Sequence, residues 1–240
     1  MTSANGSSAP LGRRCQAAFP RALPRGARPP GPRARSLRRR SLAPVGAVAL
    51  LGTLSLAPAP AAAQEPSPRA ACLRAVRIAE TVHDIPPGLL VAMALNESGL
   101  HAFALNIAGR AHYPATRAEA RELLLSARGS VMAGCVQVNA RVHAVGSDWP
   151  LDAPRAADWA ARYLRRYYDQ SGDWVTAVVR WHGGSPRNLT AIICRVRSKM
   201  DVTAPRSSLF RDRCPGVGAE VARLRRNGSA LLELAEAAER

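Results

Sequence analysis

From residue 72 onward the apolar positions recur mostly at three- and four-residue steps, and Pro, Gly, Ser and Asp cluster in the breaks between runs. Leu73, Val76, Ile78 and Ala79 predict a helix over 72–82 after a short lead-in at 64–70. Asp84-Ile85-Pro86-Pro87-Gly88 interrupts, and Pro87 suits the first turn of a second helix that runs to about Ser98. Residues 99–115 read as loop with a short strand pair. Thr116, with Glu119 as its capping-box partner, predicts a third helix to about Ala127. A tight segment, 131–139, follows Gly129-Ser130 and contains Gly134. A long helix over 155–170 carries Trp159, Tyr163, Leu164 and Tyr167 on its apolar side, and Asp173-Trp174 opens another that reaches Trp181. Gly183-Gly184-Ser185-Pro186 interrupts again. Helices over 189–200 and, amphipathically, 219–238 complete a mainly α pattern: one compact helical domain with irregular loops.

The second helix is the most informative stretch. Leu90, Met93, Ala94 and Glu97 share one face, and Gly99 can take the left-handed conformation that stops a helix. That leaves Glu97 in the last turn, where desolvation and the negative end of the helix dipole both raise a carboxyl pKa. A glutamic acid protonated near neutral pH is a proton donor. The alternative at this point is a surface Glu on a frayed helix end.

Charge and cysteines place the chain. Residues 1–40 hold ten arginines and no acid; the apolar run 42–56 and Ala57-Pro58-Ala59-Pro60-Ala61-Ala62-Ala63 follow. A basic region, an apolar core and a small-residue site make residues 1–63 a secretory signal peptide with a basic leader, cleaved after Ala63. The apolar run is short for a membrane span, so no stable membrane insertion is expected after cleavage. The whole chain carries 34 basic and 17 acidic residues for a net +17, but without the leader the balance is near +7. Such a balance argues against a nucleic-acid partner and suits an anionic polymer such as a cell wall, or a membrane surface, between which composition alone does not choose. The expected location is the bacterial periplasm or cell envelope. Cys15 lies in the leader; Cys72, Cys135, Cys194 and Cys214 remain, an even number in an exported chain, which predicts two disulfides. Spacing leaves three connectivities open, of which Cys72–Cys135 with Cys194–Cys214 is favoured. With neither a C-x-x-C nor an H-x-x-x-H pair, no metal or other cofactor is expected.

Glu97 has no second carboxylate close in sequence, although Asp148 could fold back to it. Paired-carboxylate hydrolysis needs a second acid within about 5–10 Å, so its absence favours one acid performing both proton transfers. There is no G-x-S-x-G elbow, P-loop or dinucleotide fingerprint. Gly134-Cys135-Val136-Gln137-Val138-Asn139 alternates, so that Val136 and Val138 could pack inward while Gln137 and Asn139 present amides outward. Paired amides suit a sugar's hydroxyls and acetamide; an ordinary turn whose amides satisfy backbone groups explains them equally. Trp181, before Gly183, is the tryptophan expected at a cleft.

Four elements in this order carry a family resemblance. They are Ile85-Pro86-Pro87-Gly88 through Asn96-Glu97-Ser98-Gly99; Phe103-Ala104-Leu105-Asn106 with Gly109-Arg110; Gly134-Cys135-Val136-Gln137-Val138-Asn139; and Trp181-His182-Gly183-Gly184. Over 71–200 the chain resembles the lytic transglycosylase domain of the soluble lytic transglycosylase type, in the lysozyme-like superfamily. The resemblance implies an α+β lysozyme-like fold with a substrate cleft, and peptidoglycan glycan strands as partner. It also implies non-hydrolytic cleavage of the MurNAc-β-1,4-GlcNAc bond with Glu97 as the single acid/base. Ser98, Asn106, Gln137, Asn139, Trp181 and His182 are the implied substrate-binding residues. Two departures stand out: Val136 replaces the family's Met, and Trp181 replaces a Tyr, removing a hydroxyl that Tyr113 or a tyrosine of the long helix would have to supply. Residues 201–240 lie outside the resemblance, as a basic extension with a helix. Wall turnover, secretion or conjugation machinery and the flagellum are all open as the process served. The rival readings are a lysozyme-like hydrolase and a catalytically weak wall-binding component of an envelope assembly.

Overall fold

A computed structural model describes residues 67–183, 189–214 and 219–240. The signal and leader (1–63), the start of the lead-in and Gly184-Ser185-Pro186 lie outside the described residues. The chain is mainly helical, with helices α1 (Pro68–Val82), α2 (Leu89–Glu97), α3 (Arg117–Ser126), α4 (Ala140–His143), α5 (Ala153–Ser171), α6 (Trp174–Trp181), α7 (Leu189–Thr203) and α8 (Ala219–Ala237). Strands β1 (Leu105–Ile107), β2 (Arg110–His112), β3 (Val131–Ala133) and β4 (Val138–Asn139) form one antiparallel sheet of order β2-β1-β3-β4. Among the described residues no helix is long and apolar enough to cross a membrane.

Helix α1 begins inside the expected lead-in. Ser67 caps it by accepting from the Ala70 N–H at 3.2 Å, and Pro68 occupies the first turn, where its missing N–H costs nothing. At its far end the buried Glu80 carboxylate accepts from the Gly88 N–H at 2.9 Å and the Val91 N–H at 3.0 Å. These are first-turn amides of α2, which has no side-chain cap of its own. Burial pushes the Glu80 carboxyl up and the two N–H bonds pull it down. One acid thus fixes the start of the helix whose other end carries Glu97.

Helix α2 differs from a one-faced amphipathic helix. Every residue from Leu89 to Leu95 is buried, because α1, α7 and α8 all pack on it. Leu90 and Met93 are among the fully buried side chains, each contributing about 1.5–3 kcal/mol by removal from water. Helix α5 differs too. Its buried stripe is Ala153, Ala156, Ala157, Ala160, Ala161 and Leu164, small enough for α1 and α6 to approach closely, while Trp159, Tyr163 and Tyr167 form a half-buried second stripe.

The expected disulfides are present: Cys72–Cys135 (Cα–Cα 5.6 Å) joins α1 to the turn after β3, and Cys194–Cys214 (5.4 Å) joins α7 to the segment after it. Both fit an exported protein. The chain beyond residue 200 belongs to the same folded unit. Asp201 binds Arg197 at 2.6 Å and also pairs with Arg225 of α8; the Lys199 ammonium donates to the Leu224 carbonyl at 2.7 Å. Arg77 of α1 pairs with Glu236 and Glu239 at 2.6 and 3.1 Å, and the Leu231 side chain lies against Gly99.

Candidate functional site

Helix α2 stops as its sequence predicts: Glu97 is its last residue, Ser98 its C-cap, and Gly99 follows at φ 62°. The Glu97 side chain is 17% exposed and points into a cleft of about 130 Å³ between the sheet and the aromatic stripe of α5. Met132, Gln137, Val138, Asn139 and His143 line one side of it; Trp159, Tyr163, Trp181 and His182 line the other. Glu97 is the sole carboxylate among these lining residues. Asp148 is not among them and engages Arg117 and Arg121 at 3.4 and 3.6 Å.

Burial pushes the Glu97 carboxyl up to about 7, against the opposing pull of the Asn96 side-chain N–H, 3.2 Å from Oε1, and of the Arg195 guanidinium. The carboxyl is therefore still protonated in about half of the molecules near neutral pH. His182 Nδ1 lies 3.4 Å from Glu97 Oε1. Burial, and secondarily Arg195, pulls this imidazole down to about 4, so near neutral pH it is uncharged and the contact is not an ion pair. The other ring nitrogen, Nε2, is buried and has no hydrogen-bond partner among the described residues.

The remaining predicted residues divide by role. Ser98 is buried; its hydroxyl donates to the Cys135 carbonyl at 2.7 Å and accepts from the His101 N–H at 3.0 Å. It ties the end of α2 to the turn after β3 and does not face the cleft, because a short hydroxyl at a helix C-cap is drawn to nearby backbone groups. Gln137 is not in a strand. It occupies a turn at φ 50°, buried, and its Nε2 donates to the Ala104 and Gly134 carbonyls at 3.1 and 3.0 Å. Its amide N–H₂ is thus committed to the backbone. Asn139 caps α4 by accepting from the Arg141 N–H at 3.1 Å, and it keeps its amide N–H₂ beside the cleft. Asn106 sits opposite Met132, which sits opposite Asn139. The three therefore share one face of the sheet, with Asn106 farther out along it than the cleft's lining residues.

Trp181 is at the cleft as expected. Its ring meets Trp159 at 5.6 Å and Tyr163 at 5.5 Å, both edge-on, and the ledge continues through Trp159 to His143 at 4.9 Å. Of the tyrosines that could supply the hydroxyl missing at 181, Tyr163 lines the cleft. Tyr163 O–H donates to the Arg180 carbonyl at 3.3 Å, and exposed Tyr113 packs on His101 instead. Met132, His143, Trp159 and Arg195 were not legible as site residues, and Tyr163 only as one of the long-helix tyrosines that could supply a hydroxyl. Tyr163 and Trp159 had a signal, an aromatic stripe four residues apart on one helix; the others become neighbours of Glu97 only through tertiary packing.

The arrangement offers one proton donor that can also act as a base, amides and an aromatic ledge, which together suit a polymer of hydroxylated rings. Comparison of the chain with family models, with curated proteins and with solved structures found no match in any of the three.

Proposed function

We propose that this protein is a peptidoglycan lytic transglycosylase with a lysozyme-like α+β fold. One observation carries the reading: among the described residues Glu97 is the only carboxylate lining an amide- and aromatic-walled cleft, and burial keeps it protonated up to about pH 7. A single acid of that pKa can give a proton and take one back near neutrality. Glu97 protonates the glycosidic oxygen between MurNAc and GlcNAc. The bond to C1 breaks with assistance from the MurNAc N-acetyl group, and GlcNAc leaves with its hydroxyl restored. Glu97, now a carboxylate, accepts the proton of the MurNAc C6 hydroxyl as that oxygen bonds to C1 and closes a 1,6-anhydro ring. No water is consumed and Glu97 ends protonated. Asn139 would meet the sugar from the sheet side and Trp181 from the ledge, while Ser98 and Gln137 would act by holding the walls. The two disulfides support a working place outside the cytoplasm, in the periplasm or cell envelope.

The test is digestion of purified sacculi by the chain lacking residues 1–63, with Glu97→Gln alongside, followed by mass analysis of the released muropeptides. Products lighter by one water than hydrolysis products, and missing with the variant, are expected. Hydrated products would instead mean a lysozyme-like hydrolase. A folded protein that sediments with sacculi and releases nothing would mean a wall-binding component, a reading favoured by the absence of a tyrosine hydroxyl at 181.

A further inference from the structure

Beside the acid's cleft lies a second cavity of about 340 Å³, lined by Tyr163, Tyr167, Val175, Thr176, Arg180 and Leu189. Tyr163 lines both cavities, so the two adjoin at its ring on the aromatic stripe of α5. Arg180 is the second cavity's cationic lining residue, and Arg166 sits on the rings of two of its lining tyrosines. The Arg166 guanidinium lies over Tyr163 and Tyr167, 5.3 and 5.2 Å from the ring centroids, and Arg180 lies 6.0 Å from Tyr167. The neighbouring arginines of α5 are matched: Arg162 pairs with Asp158 at 2.6 Å and Arg165 with Asp169 at 2.8 Å. Arg166 and Arg180 form no ion pair among the described residues, and both are exposed. A guanidinium resting its face on an aromatic ring keeps its N–H edge free, and that edge fits a planar carboxylate by two parallel hydrogen bonds.

We propose that this shelf binds the carboxylates of the peptide stem carried by the glycan strand, with Arg166 and Arg180 as the anion-binding pair. The proposal rests on the reading of the substrate as peptidoglycan. A strand lying against Glu97 must let the stem of its muramic acid leave the cleft sideways, and the edge at Tyr163 leads onto the shelf. The Thr176 and Tyr163 hydroxyls already donate to Asp173 Oδ2 at 2.8 Å and to the Arg180 carbonyl at 3.3 Å, so toward peptide N–H groups they serve as acceptors. The apolar wall from Val175 and Leu189 takes the stem's aliphatic side chains.

The test is equilibrium binding of full-length exported chain carrying Glu97→Gln, which prevents turnover, to three soluble glycan strands. One keeps intact stems, one has its stem carboxylates converted to amides, and one has been stripped of stems by an amidase so that only the lactyl carboxylate remains. Intact strands are expected to bind about tenfold more tightly than the other two. Adding Arg166→Gln and Arg180→Gln should bring the three affinities together, whereas adding Arg162→Gln should preserve the preference. Equal affinity for all three strands, or a preference that survives the paired arginine variants, overturns the proposal. Tight binding of the stripped strand that depends on the same arginines assigns the shelf to the lactyl carboxylate and likewise overturns it. Failure to bind any strand removes the peptidoglycan reading itself, an outcome distinct from the loss of preference alone.

Discussion

His182 Nδ1 and Glu97 Oε1 stand 3.4 Å apart, yet their protonation preferences are displaced in opposite directions, the imidazole down to about 4 and the carboxyl up to about 7. Between those values both groups are uncharged. A pocket that disfavours charge of either sign produces this pattern, and it keeps the carboxyl proton available at a pH where a solvated glutamate has lost it.

Glu97 should therefore weaken the fold as pH rises. At about pH 4 and below, the carboxyl is largely protonated in the folded and unfolded chains alike. From 4.5 upward the unfolded chain ionises first, so stability falls until the folded pKa near 7 is passed, a loss of up to about 3 kcal/mol. Glu97→Gln should match the parent near pH 4 and exceed it by up to that amount near pH 8. Denaturant melts at the two pH values check this; a variant no more stable at the higher pH would show that the carboxyl is not buried in solution.

The pH profile of sacculus turnover should fall above about pH 7 with unit slope, because the first step needs the Glu97 proton. The Arg195 guanidinium favours the carboxylate, so Arg195→Gln should move that limb to higher pH. A limb that stays in place would mean that another group controls it.

What could be read from the sequence was local. Glu97 at a helix end followed by Gly99, the Thr116 cap and the Asp173 cap are short-range patterns, and each element stands within a few residues of its expected place. Of the two readings that alternation left open at Gln137, the turn is the one observed: its left-handed backbone spends the amide N–H₂ on the Ala104 and Gly134 carbonyls. Ser67 and Pro68 carry a start signal that the lead-in's polar composition obscured. The apposition of His182 and Glu97, and the seating of α8 against α1 and α2, come from packing between distant segments, to which periodicity is blind.

The disulfides should differ in weight. Cys72–Cys135 spans 63 residues and Cys194–Cys214 spans 20, so chain entropy assigns them about 4 and about 3 kcal/mol. The first also fixes the turn that holds Gln137, so Cys72→Ala with Cys135→Ala should lower turnover more than Cys194→Ala with Cys214→Ala at equal folded fraction. Unfolding curves paired with turnover assays measure both effects; equal losses of turnover would remove the special role of the first bridge.

Gly134 lies at φ 79°, and a methyl group there would come within 1.8 Å of the Pro150 carbonyl oxygen. Backbone on both sides leaves no room to yield. Gly134→Ala should cost on the order of 3 kcal/mol or more. Gly109→Ala, in the β1–β2 hairpin where nothing lies within 4 Å, should cost about 1 kcal/mol. Thermal unfolding of the two variants gives the comparison, and similar midpoints would contradict it.

Helix α8 brings Leu231 against Gly99, directly behind the acid, and packs on α2 itself. The burial that holds the Glu97 carboxyl up therefore draws on a helix far along the chain from it, and removing residues 219–240 is expected to draw that carboxyl back toward the ordinary range.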